Sequence, residues 1–296
     1  MTNTSPETQA SLSLYDAITP RPNDESLRRP RASADLAIMR SGRWRRRRAT
    51  ARPVTQRWRA GGRLVVGTIL GALTLSGMFW FLTPSGANVE SRTAAFGALH
   101  GSTGLRPTDI PPLLANAMVA TEDERFYQHH GVDVVGIGRA LSYDVSHLCL
   151  CQGGSTITEQ LVKVVYLDGS DRGLNKLVDA AVALKVETHA NKQQILADYL
   201  SSVPVGPTQY GMAAGACVYF SRPLLDLSLS QYALLAGLPQ APSQYDPLLH
   251  PDAARQRRDE VLTMMQSEGY ITLAQKNAAS AEPLGMQPGS QLRGCQ

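Results

Sequence analysis

The four cysteines of this 296-residue chain, Cys149, Cys151, Cys217 and Cys295, include no C-x-x-C pair. The spacing of a structural zinc site is therefore missing, and the single C-x-C is a weak metal signal. No G-x-x-x-x-G-K-[ST] stretch occurs, which argues against a P-loop nucleotide site. The S-x-x-K, S-D-N and K-T-G set of acyl-serine enzymes is also absent. Alternating apolar and polar runs of the kind that make half-buried strands are nearly absent, and there is no internal repeat. These two absences remove sheet and solenoid folds and leave a mainly α body. Lysine is missing from the first 63 residues altogether.

What those 63 residues do contain is 14 Arg against 5 acidic residues, a net of +9; since the whole chain carries +4, the remainder carries 4 − 9 = −5. A basic end can bind nucleic acid, but this one stops at residues 64–82, LVVGTILGALTLSGMFWFL, which hold no charge. Such a run, at about 1.5 Å per residue, reaches roughly 28 Å, the thickness of a bilayer's hydrocarbon core. Arg crowds its N-terminal side, and Phe79, Trp80 and Phe81 sit at the other end, as in an interfacial aromatic belt. The expectation is a single-pass membrane protein with its N-terminus in the cytoplasm, its body outside and no nucleic-acid partner. About 60 polar residues before the apolar run fit a cleaved signal peptide poorly.

The boundaries expected are a disordered basic tail over 1–62, a transmembrane helix over 63–83, a polar stalk over 84–108, one helical domain over 109–285 and a C-terminal tail over 286–296. The tail mixes Pro, Ser, Thr and Arg with few apolar positions, too few to offset chain entropy. In the body, helical spacing predicts helices ending at Glu122 and covering 134–147, about 174–188, 192–200, 230–238 and 251–267, the last closed by Gly269. Another starts after Gly153-Gly154-Ser155, where Thr156 and Glu159 have the T-x-x-E spacing of a capping box. With the body outside the cell, a disulfide of Cys149 or Cys151 with Cys217 is open, beside the plainer reading of buried or free thiols.

Two clusters can carry chemistry. Residues 122–131, EDERFYQHHG, place a carboxylate at the end of a helix, where partly apolar surroundings suit a general base; plain solvation of the helix end is the competing reading. Residues 153–163, GGSTITEQLVK, lead two glycines into a helix start whose free amides and dipole attract phosphate. Thr156, Gln160 and Lys163 share one face there. A glycine and serine start serves capping alone in many helices. His129 and His130 read as structural neighbours of the cleft rather than metal ligands. Arg255, Arg257 and Arg258 read as a solvated helix face.

Taken together, these clusters resemble glycosyltransferase family 51, the peptidoglycan glycosyltransferase domain of class A penicillin-binding proteins and of monofunctional transglycosylases. Residues 122–131 are similar to the family's E-D-x-x-F-x-x-H-x-G, and residues 154–163 to its G-S-T-x-x-Q-Q-L-x-K. Residues 192–200 resemble K-x-x-I-L-E-x-Y-L, and two later blocks follow in order, over about 106–270. The resemblance implies a lysozyme-like helical domain against the membrane that joins lipid II to a growing glycan chain by β-1,4 bonds, inverting the anomeric centre and releasing polyprenyl pyrophosphate. It makes Glu122 and Asp179 the catalytic carboxylates, with Asp123, Phe126, Ser155, Thr156, Gln160, Lys163 and Lys176 binding substrate. It also allows a divalent cation, Mg or Mn, bridging the pyrophosphate, though no metal ligand is assigned, and a cell-wall synthesis complex as partner. Without the transpeptidase signatures, the chain reads as monofunctional.

Several positions depart from the family pattern. Asn175 and Asp179 stand in the R-K-x-x-E block for Arg and Glu, Glu159 replaces the first Gln, and Ala197 and Ser201 replace Glu and Asn. A displacement of about 1 Å can cost on the order of 10²-fold in rate. The alternatives are thus a weak or inactive anchored glycan-binding relative, or a lysozyme-like enzyme that cleaves glycan with one acid.

Overall fold

The computed structural model describes residues 54–148, 153–167, 169 and 175–288, with side chains from residue 65 onward. The basic tail up to residue 53, Cys149, Cys151, Cys295 and the C-terminal residues from 289 lie outside the described residues. Eleven α-helices carry the described chain. Among these residues there is no strand, only two isolated bridges, His130 with Val132 and Pro204 with Tyr210. The fold is mainly α, as the lack of alternation requires.

Helix α1 (Val54–Leu82) contains an uncharged stretch, Val65–Leu82, long and apolar enough to cross a membrane, and none of that stretch is buried by the rest of the chain. Residues 84–108, expected as a stalk, are instead partly folded. They contain α2 (Val89–His100), which turns Val89, Thr93 and Gly97 inward and packs on α5 and α7. The polar residues that suggested a stalk occupy its outer side.

The body continues with α3 (Pro112–Glu122), α4 (Val134–His147), α5 (Ile157–Leu167), α6 (Asn175–Val186), α7 (Lys192–Ser202), α8 (Met212–Phe220), α9 (Leu229–Gly237), α10 (Pro251–Ser267) and α11 (Leu273–Ala281). Helix α9 is enclosed on all sides, and Ser230 through Gly237 are all buried. It is the axis around which α3, α8, α10 and α11 pack, while α5 packs with α2, α6 and α7 in a neighbouring layer. One apolar core runs through both, with Leu114, Met118, Ile157, Leu161, Tyr199 and Leu234 among its members.

One reading of the surface needs correction. Arg257 and Arg258 are not a solvated face: Arg258 is fully buried, and its guanidinium donates to Ser230 Oγ and to the carbonyls of Ser280 and Glu282 at 2.7–3.2 Å. Arg257 is buried too and donates to the Gly237 carbonyl at 3.2 Å. Each charge is held by carbonyls from segments far along the chain together with a neighbouring carboxylate, Glu260 for Arg257 and Asp259 for Arg258, which satisfy its donors where water cannot. The opposite happens on α4, where only Ala140 is buried and Val134, Val135, Leu141 and Val145 face outward.

Candidate active site

Helix α3 ends at Glu122, and Asp123, its C-cap, leaves the helical conformation at φ −162°. The break sends the two adjacent carboxylates in different directions. Asp123 turns inward: His129 Nε2 lies 2.9 and 3.0 Å from its oxygens, and the amide of Ile157, first residue of α5, donates to Oδ2 at 3.0 Å. A carboxylate at a helix N-terminus is favoured by both the free amide and the dipole. Asp123 therefore caps α5 from 34 residues away.

Glu122 stays at the partly open edge. Its Oε2 accepts from Gln160 Nε2 at 2.8 Å, and the Gln160 carbonyl oxygen accepts from the buried hydroxyl of Tyr199, also at 2.8 Å. Burial raises the pKa of Glu122 above the ordinary carboxylate value, against the amide of Gln160 and the charge of Arg257, which lower it; the neighbouring Asp123 raises it further. Burial beside Glu122 and Asp123 holds the Tyr199 phenol far above its usual range, so it remains a donor. The outcome is a carboxylate of enhanced basicity, fixed in orientation by an amide that is itself fixed.

The start of α5 differs from a bare phosphate cradle. The amide of Thr156 donates to Glu159 Oε2 at 2.9 Å and the amide of Glu159 to Thr156 Oγ1 at 3.1 Å, the reciprocal capping box expected from their spacing. The Thr156 hydroxyl is buried and donates to the Gly131 carbonyl at 2.6 Å. With Ile157 held by Asp123, the chain's own groups occupy the amides of residues 156, 157 and 159. Near these occupied amides stand side chains that face an incoming anion.

Those side chains are Ser155, Gln160, Lys163 and Lys176. The Lys176 ammonium donates to Ser155 Oγ at 2.7 Å and lies 3.2 Å from Glu159 Oε1, whose side chain is 2% exposed. Lys176 itself is exposed, as is part of Ser155 and Lys163. Asp179, one turn further along α6, is buried. Phe126 is fully buried in the core, edge-on to Tyr127, with the Lys192 ammonium 4.4 Å over its ring, so its contacts are with the protein's own side chains.

Gly131 joins the clusters. It sits at φ +75°, and a Cβ there would stand 2.7 Å from the backbone nitrogen of Leu184, so the loop after α3 passes directly over α6. Glu187 adds a further tie, accepting from Thr158 Oγ1 at 2.6 Å and Lys192 Nζ at 2.7 Å. Two members of the site went unassigned in the sequence. Tyr199 lies within the 192–200 block, where its place in the motif was a usable signal. Arg257 had none, because its effect on Glu122 arises only once α10 folds against α3. Among the described residues, no group of three or more His, Cys, Asp or Glu converges as a metal cage.

Comparison with known proteins bears on the family of the chain. A family model described as transglycosylase matches residues 94–266. Penicillin-binding protein 1A of Haemophilus influenzae is 38% identical over 233 residues, 75% of this chain and 27% of that protein. Penicillin-binding protein 1A of Aquifex aeolicus is 41% identical over 196 residues, 64% of this chain and 27% of that protein. Penicillin-binding protein 1F of Bacillus subtilis is 39% identical over 178 residues, 60% of this chain and 25% of that protein. The chain thus spans about a quarter of the length of these curated relatives. A crystal structure of the Haemophilus influenzae protein is 26% identical, with a TM-score of 0.40 over 64% of this chain and 18% of that one. The match covers α3 through nearly all of α10, which hold Glu122, Gln160 and Lys176 alike: the chain belongs to the transglycosylase family.

Proposed function

We propose that this chain is a peptidoglycan glycosyltransferase that polymerises lipid II at the outer face of a membrane. The observation that carries the reading is Glu122, a carboxylate made more basic by burial and aimed by Gln160, beside a start of α5 whose exposed side chains are cationic and polar. In the proposed step Glu122 takes the proton from the 4-hydroxyl of the acceptor sugar as its oxygen bonds to the donor's anomeric carbon. The bond from that carbon to the phosphate oxygen breaks, and polyprenyl pyrophosphate leaves with the negative charge. Attack from the face opposite the leaving group inverts the centre and yields the β-1,4 bond.

Lys176, Lys163 and Ser155 are placed to hold the leaving pyrophosphate, where cations aimed at developing charge lower the barrier. Because Oε2 of Glu122 accepts the Gln160 amide, Oε1 is the oxygen left to receive the proton. Asp123, Thr156 and Phe126 support the cleft from behind, as α5 cap, loop tie and core residue. Asp179 is a second carboxylate for the reaction, on the helix that carries Lys176.

Three observations support a membrane-anchored body outside the cytoplasm. Helix α1 is apolar along Val65–Leu82, and α4 turns an uncovered apolar face outward, the form of a helix that lies in an interface. Cys217 is disulfide-bonded, as suits an oxidising compartment. Incubating the full chain in detergent with labelled lipid II tests the function. Polymer made by the wild type and not by Glu122→Gln supports it, and no polymer from the wild type overturns it.

A further inference from the structure

Helix α1 meets the body at its outer end, and what it meets is Lys185. This residue sits in the last turn of α6 and is 8% exposed. Its ammonium donates to the Trp80 carbonyl at 2.5 Å, the Thr83 carbonyl at 2.9 Å and Thr83 Oγ1 at 2.8 Å. An ammonium has three donors, and all three are used. The charge also lies 4.8 Å over the Trp80 ring.

Helices end with carbonyls that lack partners and with a partial negative charge, so a cation there is both a hydrogen-bond donor and a counter-charge. No carboxylate forms an ion pair with Lys185 among the described residues, and burial lowers its pKa. Its compensation is thus the end of α1. Backbone packing reinforces the joint: Gly86, at φ +79°, passes so close to α6 that a Cβ would stand 2.6 Å from the nitrogen of Val186.

We propose that Lys185 is a positioning residue that locks the membrane anchor onto α6, setting the height and tilt at which the cleft rides over the bilayer. The lever is short and stiff. Lys185 and Lys176 lie on one continuous helix, nine residues or about 13 Å apart at 1.5 Å per residue. An anchor rotated at Lys185 therefore moves Lys176 and Asp179 with respect to lipid head groups. The functional part of this inference rests on the transferase reading above, while the joint itself does not.

The test uses the full chain with Lys185→Met, which keeps the apolar stem and removes the three donors. In lipid nanodiscs, hydrogen exchange at residues 83–89 is expected to quicken by about tenfold or more, with α9 unchanged, because the joint opens locally. Turnover of long-chain lipid II in liposomes is expected to fall by about tenfold or more, while turnover of a short-chain, water-soluble donor in detergent stays within about twofold. Unchanged exchange at 83–89, or equal loss in both media, overturns the proposal. If the wild type polymerises neither donor, the transferase reading fails and the exchange result still decides the joint. Should Lys185→Met lose protection in α9 as well, Thr83→Ala, which deletes one of the three acceptors, must show the same selective pattern at smaller size or the proposal falls.

Discussion

Gln160 holds Glu122 from 38 residues away, donating its amide to Oε2 at 2.8 Å while Tyr199 fixes the other end of the same amide. The hydrogen bond favours the charged carboxylate and so opposes the rise that burial imposes. Removing it has a definite sign. Gln160→Leu should move the acidic limb of the rate profile to higher pH, because the base must lose its proton before it can act. Arg257→Met should shift the limb the same way, since the Arg257 charge also lowers Glu122. Polymerisation rates from acidic to neutral pH check both, and a limb that stays in place in the two variants would remove Glu122 from the role of base.

Loss of the proposed base itself is expected to be a larger effect. General base catalysis contributes about 10²–10⁴-fold, so Glu122→Gln, which keeps shape and the partner amide, should lower turnover by that order with little change in thermal midpoint. Single-turnover assays on lipid II beside a melting curve separate the two quantities.

Glu159 and Lys176 bear on affinity. The buried carboxylate of Glu159 engages Lys176 at 3.2 Å, so a pyrophosphate bound as proposed would share that cation with a resident anion. Glu159→Gln keeps an oxygen for the Thr156 amide and frees the ammonium. As Lys176 is more than half exposed, solvent screens the pair, and a gain of about 1 kcal/mol or less is expected. The measurement is KM for lipid II, which should fall several-fold at near-constant kcat; an unchanged or higher KM would show that Lys176 does not bind the donor.

Asp198 governs a pH dependence of stability. It is 4% exposed, its Oδ2 has no hydrogen-bond partner, and burial raises its pKa from 3.8 to about 6. A carboxyl with a raised native pKa binds its proton more tightly folded than unfolded. Stability is therefore greatest below about pH 4 for this group and is lost as pH rises towards about 6. Asp198→Asn should add up to ~2 kcal/mol at pH 7.5 and nothing near pH 4, as denaturant titrations at both pH values would show.

Asp123 links the cleft to the fold. Asp123→Ala removes the cap on the Ile157 amide and leaves His129 without its carboxylate, a loss of ~2 kcal/mol or more. The thermal midpoint in detergent should fall accordingly, and Asp123→Asn should restore part of it.

Local signals were readable in the sequence and distant ones were not. The span of α10, Pro251–Ser267, follows from its apolar spacing, and the Thr156–Glu159 capping box from residues three apart. Helix α2 escaped because what it buries is Val89, Thr93 and Gly97, small or polar residues that make no apolar stripe. Helix α8, MAAGACVYF, is apolar throughout and offers no period at all. Glu122, Gln160 and Lys176 could be named as candidate site residues from their motifs. That Asp123 would fill the amide at the start of α5 could not, since two segments 34 residues apart meet only after folding. The burial of Arg258 depended likewise on carbonyls 22 and 24 residues downstream.

The outward apolar side of α4 has a practical consequence for anyone preparing the protein. Truncating the chain before residue 83 would delete α1 and still leave Val134, Val135, Leu141 and Val145 facing water, so the shortened protein should aggregate or stay bound to micelles. Crystallisation from plain buffer would call for charged replacements on that helix as well as the truncation.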